Sequence, residues 1–172
     1  MQLCHRDVLH LYCKKEMKKK SAGILVYRKT EKDYEVFLVH PGGPYWAKKD
    51  MHAWSIPKGE FNEGEEPIIA AKREFGEETG LTVSGAFIEL QPVKQPGGKI
   101  IYSWAVESDP DASVIKSNLF EMEWPPGSGK TEEFPEVDKA GWFSFDIARE
   151  KIVKGQVPIL EQLEGQLHRS PG

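Results

Sequence analysis

GEFNEGEEPIIAAKREFGEETGL, residues 59–81, decides how this chain is read. Its second half carries the punctuation of a helix over 66–79. Pro67 suits the first helical position, where its missing N–H costs nothing. Gly80 suits the position just past the end, with Leu81 placed to close the cap by an apolar contact. Ile68, Ala71 and Phe75 recur at helical spacing and predict the stripe that faces a core. Glu74, Glu77 and Glu78 then fall at i, i+3 and i+4, on one face and a turn apart. Like charges so placed destabilise a helix by roughly 0.2–0.5 kcal/mol per pair, and in its C-terminal half they also oppose the macrodipole. A cation held between them would resolve the conflict. A merely solvated acidic face is the competing reading, and three glutamates alone do not decide between the two. Oxygen-only ligands favour hard cations, Mg²⁺ or Mn²⁺. Ala70, one turn before Glu74, is expected on the carboxylate side, where a small side chain leaves room for a hydrated ion. Phe75 is expected to anchor the helix.

The complete stretch decides more than the glutamates do. Gly59, Glu65, Arg73, Glu74, Glu77, Glu78, Gly80 and Leu81 match the Nudix box: Gly, five residues, Glu, seven residues, Arg-Glu, an apolar residue, any residue, Glu-Glu, any residue, Gly, apolar. On these residues the chain resembles the Nudix hydrolase family. Phe75 departs mildly, since relatives usually carry an aliphatic residue there, but it stays apolar and keeps the packing role. The resemblance implies an α/β fold, an α/β/α sandwich with a mixed sheet. It implies that Glu74, Glu77 and Glu78 hold divalent metal, with a backbone carbonyl at Lys58 or Gly59 as a further ligand, and that Glu74 and Glu78 act in catalysis. It implies a structural Glu65–Arg73 ion pair. It also implies a catalytic base on a later loop, where Glu132, Glu133 and Glu136 are available. Glu136, shortly before Trp142-Phe143, is the choice among them.

Outward from the box, Trp54-Ser55-Ile56-Pro57-Lys58-Gly59 resembles the W-x-x-P-K-G stretch of the dinucleoside polyphosphate and diphosphoinositol polyphosphate branches. Lys58, Lys48 and Lys49 are candidate phosphate contacts, and Tyr45 or Trp46 a candidate stacking face for a base. Surface lysines and core aromatics are the plainer readings of the same residues. The stretch SNLFEMEWPPGSGKTEEFPEVDKAGWF, residues 117–143, is similar to one in a group of predicted nucleotide pyrophosphohydrolases of the family. Pro96 faintly resembles a mark of ADP-ribose-acting relatives, but it falls in the Gln95-Pro96-Gly97-Gly98 turn and is read as a turn residue. These resemblances rank dinucleoside polyphosphates or nucleoside triphosphates first as substrates. RNA 5′ ends and diphosphoinositol polyphosphates follow. A catalytically silent nucleotide sensor is the reading from another class, and the intact box glutamates weigh against it.

The rest of the chain supplies strands and a second helical layer. Residues 21–29 and 34–40 are apolar runs joined by a short polar link, as in a hairpin. Short strands are expected at 54–56 and 140–145, longer ones at 82–93 and 99–107, and helices at 146–153 and 157–167. Residues 108–138 read as one long irregular loop of the kind that binds ligands. Strands interleaved with helices suggest a mixed sheet covered by helices.

The 172 residues suit one domain, with 39% hydrophobic and 29% charged residues as in ordinary globular proteins. Residues 1–20 are read as an N-terminal extension, with 1–16 dispensable, and 21–168 as the Nudix domain. The two cysteines, Cys4 and Cys13, both fall in the extension, so no disulfide framework holds the fold and a cytoplasmic location is expected. No apolar run is long enough to span a membrane. A net charge of −4 argues against an extended nucleic-acid footprint and leaves a small nucleotide-like diphosphate as the expected partner. Oligomeric state is left open.

Overall fold

The computed structural model describes residues 18–169. The extension over 1–16 and its two cysteines lie outside the described residues. In chain order the elements are β1 (Lys20–Lys29), β2 (Tyr34–Pro41), β3 (Lys58–Glu60), α1 (Pro67–Thr79), β4 (Ile88–Lys94), β5 (Ile100–Glu107), β6 (Leu119–Glu123), β7 (Thr131–Pro135), β8 (Val137–Ser144), α2 (Phe145–Lys151) and α3 (Val157–Arg169). Single 3₁₀ turns occupy Ala112–Val114 and Lys154–Gln156.

The main sheet runs β4-β5-β1-β2-β8, with β3 also paired to β1. β1 and β5 are parallel and the remaining pairs antiparallel, so the sheet is mixed. β1 is buried through seven consecutive residues. Such a run follows when helices cover both faces of a sheet. Side chains alternate between those faces. Ala22, Ile24 and Val26 join Phe37, Val106, Ala70, Ala71 and Phe75 beneath α1. Leu25 and Tyr27 join Leu38, Ile101, Ile159, Leu160 and Leu163 beneath α2 and α3. The result is the expected α/β/α sandwich.

One irregularity in the sheet positions the site. β1 pairs with β2 only at 27–29, and on the same edge it pairs with β3 at 21–23. Between these stretches β1 and β2 separate. Residues 54–57 enter the gap: Ile24 N–H donates to the Pro57 carbonyl (3.1 Å), and Val39 and Ser55 exchange backbone bonds (2.9 Å each). The expected strand at 54–56 is therefore reduced to isolated bridges, and a regular strand forms instead at Lys58–Glu60.

Three further expectations change. Residues 82–87 are loop and the strand begins at Ile88, because Ser84-Gly85 interrupts the run while Val83 and Phe87 pack against the α1 core. The stretch 108–138 is not one loop. It contains a two-stranded sheet, β6 with β7, whose register pairs Phe120 with Phe134. Ala70 does not leave room for an ion: it is fully buried in the core beneath α1.

Candidate active site

α1 begins at Pro67 and ends on Gly80, whose φ of 70° is left-handed and whose N–H closes onto the Gly76 carbonyl. Its buried stripe fixes its rotation. Phe75 is 1% exposed and Ala71 fully buried, which leaves the glutamates on the flank. Glu74 is itself buried, and its carboxylate lies directly over Gly59, where an added Cβ would stand 1.9 Å from Glu74 Oε2. A bare backbone at residue 59 is thus what admits the carboxylate. Arg73 forms the expected ion pair, Nε to Glu65 Oε1 at 3.0 Å and Nη2 to Oε2 at 3.3 Å. Its Nη1 also donates to Glu74 (2.6 Å) and Glu77 (3.1 Å). Glu78 turns the other way and accepts from the Lys58 backbone N–H at 3.1 Å.

Glu136 arrives from the opposite side, between β7 and β8. Its backbone is fixed on both sides. Its N–H donates to the Asn118 carbonyl (2.9 Å), and the Asn118 N–H donates to the Glu77 carbonyl on α1 (2.8 Å). Val137 N–H donates to Ser117 Oγ (2.9 Å). The Glu136 carbonyl accepts from Gly42 N–H (3.0 Å). A Cβ on Gly42 would sit 1.9 Å from the Pro135 carbonyl oxygen, so this approach requires glycine. A relay through Asn118 therefore sets the distance between Glu136 and the helix glutamates.

The electrostatics follow from this convergence. Burial pushes the Glu78 carboxyl up to about 8, and Glu74 and Glu136 push the same way against the pull of Lys58. Glu74 is raised by burial, then by Glu77 and Glu65, with Arg73 opposing. Glu136 keeps solvent access, yet partial desolvation and the charges of Glu74 and Glu77 hold it above the usual carboxylate range. Burial, with Lys99 nearby, pushes the Lys58 ammonium down. Three carboxyls are thus held where ionising all of them is unfavourable, which is the condition an added cation relieves. Among the described residues no group of three His, Cys, Asp or Glu side chains is gathered closely enough to hold a metal ion, and Arg73 pairs with both Glu74 and Glu77. The donor set still fits a hard divalent ion: oxygen only, beside the Gly59 cradle.

Glu78, Glu136, Lys58 and Trp46 line one cavity of about 510 Å³ at the gap in the sheet. Its other walls are largely apolar, with Val39, Ala53, Ile101 and Val153, and it includes Lys99, Gln95 and Gln156. A larger depression of about 840 Å³ lies behind the box loop, between 18–20 and 60–65, and contains none of Glu74, Glu77 or Glu78. Chemistry favours the smaller one, which Glu78 and Glu136 line, whereas Glu74 and Glu77 line neither.

Not every expected residue reaches this cavity. Tyr45 is exposed and packs edge-on against Trp124 of the β6–β7 hairpin, 5.4 Å between ring centres. Lys48 and Lys49 do not line it, although the Lys49 ammonium lies 4.8 Å over the Trp46 ring. Glu132 and Glu133 sit exposed on β7. Conversely, Lys99 and Gln156 line the cavity and went unassigned in the sequence, and Pro96, read there as a turn residue, lines it too. Lys99 has a salt bridge to Glu60 at 3.0 Å. Gln156, buried, accepts from Ile56 N–H (3.0 Å). The Gln95–Gly98 turn was legible, but nothing local said that it would face Glu78.

Known proteins of similar sequence and fold identify the family. The chain is 32% identical over 102 residues to an 8-oxo-(d)GTP phosphatase of Mycolicibacterium smegmatis, covering 58% of this chain and 26% of that protein. It is 31% identical over 113 residues to an RNA pyrophosphohydrolase of Aeromonas hydrophila, covering 60% and 63% respectively. In both cases it spans less than two thirds of the relative's length. Its fold is similar to that of a C. elegans Ap4A hydrolase solved as a binary complex, with a TM-score of 0.60, 21% identity, and coverage of 87% of this chain and 98% of that one. The NUDIX domain family profile matches residues 17–163. The sandwich, the box on α1 and this match together place the chain in the Nudix family.

Proposed function

We propose that this protein hydrolyses a diphosphate linkage in a nucleotide-type substrate with Mg²⁺ or Mn²⁺, and that dinucleoside polyphosphates are its first substrate class. The observation that carries this is the shared cavity: acidic groups from α1 and from the β7–β8 junction face each other across a space with an ammonium at Lys58 and an indole at Trp46. Such a space takes a molecule with a charged bridge and a flat apolar end.

Glu74, Glu77, Glu78 and the Gly59 carbonyl would hold the ion. A divalent cation, when bound, supplies charge neutralisation at the diphosphate oxygens. Glu136 removes the proton of the attacking water, a role suited to a carboxyl held above its ordinary range. Lys58 meets the developing charge of the departing phosphate. Arg73, tied to Glu65, keeps the box loop docked on α1. Trp46 offers its face to a base, and the apolar walls limit bulk water.

The RNA pyrophosphohydrolase relative supports a second reading, removal of diphosphate from RNA 5′ ends. The test is a panel of nucleoside triphosphates, dinucleoside polyphosphates, ADP-ribose, diphosphoinositol polyphosphate and 5′-triphosphate RNA with Mg²⁺. Products would be identified by mass spectrometry in ¹⁸O-water. Fastest turnover of a dinucleoside polyphosphate supports the first class, and preference for RNA ends replaces it. Turnover of none of them would leave a nucleotide sensor.

A further inference from the structure

Among the described residues the most enclosed titratable side chain outside the catalytic cluster is His40, near the end of β2 and fully buried. Both ring nitrogens face acceptors. Nδ1 lies 2.8 Å from Asp138 Oδ1, and Nε2 lies 2.6 Å from the Lys49 carbonyl. A backbone carbonyl cannot donate, nor can an ionised carboxylate. A neutral imidazole has one N–H and would satisfy one of these contacts while aiming its lone pair at the other. Only the imidazolium completes both.

The sheet is shaped to make this arrangement. His40 pairs with Lys139 on β8, but Pro41 pairs with Val137, so Asp138 is an extra residue at a β-bulge. Bulges re-aim side chains, and this one turns Asp138 back to His40. Other charged groups surround the ring. Lys139 on β8 and Lys151 on α2 lie 5.4 and 5.6 Å from the ring centre of Trp54. Trp54 packs edge-on against His40 at 5.2 Å. Asp50 of the loop accepts from Trp54 Nε1 and from Lys151 Nζ. The Lys49 ammonium is turned to Trp46.

The contact to Lys49 gives His40 a route to the cavity. Lys49 N–H donates to the Trp46 carbonyl at 2.8 Å, and its ammonium covers the Trp46 ring. Trp46 lines the cavity with Glu78 and Glu136. We propose that His40, bridged between Asp138 and the Lys49 carbonyl, is a positioning residue for Trp46. Its loss is then felt in substrate binding and not in the chemical step. The kinetic part rests on reading the cavity as the substrate site; the structural part does not.

The test uses the full chain, His40→Gln and Asp138→Asn. Asp138 is partly exposed, so its variant folds even if the core substitution does not. Two quantities are followed at neutral pH. One is amide exchange over residues 43–50. The other is steady-state hydrolysis of diadenosine tetraphosphate with Mg²⁺. In His40→Gln, loop protection is lower and KM about tenfold higher than in the wild type, as for loss of a charged hydrogen bond, with kcat unchanged. In Asp138→Asn both quantities move the same way by less, because the ring keeps an amide oxygen in place of the carboxylate. Unaltered protection and KM in both variants would overturn the proposal, as would a fall in kcat with KM unchanged. If the wild type does not hydrolyse the probe, the functional reading fails there, and loop exchange alone decides on His40.

Discussion

On one side of the cavity, α1 supplies Glu78, with Glu74 and Glu77 beside it within little more than one turn of helix. On the other, Trp46, Lys99, Glu136 and Gln156 come from four segments that meet only in the fold. The first wall is held by local rules: Pro67 at one end, Gly80 at the other, and Phe75 and Ala71 in the core. The second is held by backbone bonds between distant stretches, chiefly Gly42 to Glu136 and Asn118 to both Glu77 and Glu136. A helix can place several like charges together cheaply because its own hydrogen bonds keep its shape. A composite wall must fix each member separately. The two walls should therefore fail differently when they are damaged.

The largest effect is expected on the helix side. Glu78→Gln should lower kcat by roughly 1000-fold or more, several kcal/mol of charge stabilisation. Its circular dichroism should match the wild type, because the carboxylate contributes one backbone contact, to Lys58. On the opposite side, Glu136→Gln should lower kcat by about 100-fold, the low end for loss of a general base. KM should stay within about twofold of the wild type. Equal activity in this variant would remove Glu136 from the chemistry and leave the helix acting alone.

Damage to the scaffold should separate the walls further. Gly42→Ala drives a methyl into the Pro135 carbonyl. Stability should fall by about 1–3 kcal/mol in denaturant melts, as for overpacking, and kcat should fall further than Arg73→Lys lowers it. The smallest effect belongs to Asp50, whose carboxyl is held below the usual range by its bond to Lys151, and then by Trp54. A depressed folded-state value means stability that is present above the ordinary Asp value of 3.8 and lost as pH falls through the lower one. Asp50→Asn should therefore melt slightly below the wild type at neutral pH, and the gap should close in acid. A gap that widened in acid would show that Asp50 does not pin the loop in its charged form.

This contrast also explains how much could be read in advance. The helix wall is written in contiguous residues, so its ends, its apolar stripe and its acidic face were all legible between 59 and 81. So were the β1–β2 hairpin and a mixed sheet covered by helices, because their apolar runs announce themselves, whereas the sandwich came with the resemblance to the family. Ala70 was misplaced because it borders both the stripe and the acidic face, and helical spacing alone does not say which side a small residue joins. The composite wall left weaker marks. β6 and β7 escaped notice because LFEME and TEEFP are mostly exposed, with only Phe120 and Phe134 to pair, and because Trp124-Pro125-Pro126-Gly127 between them reads as loop. Lys99 and Gln156 have no pattern at all in the chain. They become visible only once the sheet parts between β1 and β2 and residues 54–57 fill the gap. Tyr45 and Lys48 show the converse: their residue types suggested a role at the site, but neither lines the cavity.

The measurement that bears most directly on the account is anomalous diffraction from crystals grown with Mn²⁺, wild type beside Glu78→Gln. A scatterer is expected within coordination reach of Glu74 and Glu78, near the Gly59 backbone, with its loss or marked weakening in the variant. A wild-type map with no scatterer at α1, or with manganese held elsewhere and untouched by Glu78→Gln, would contradict it.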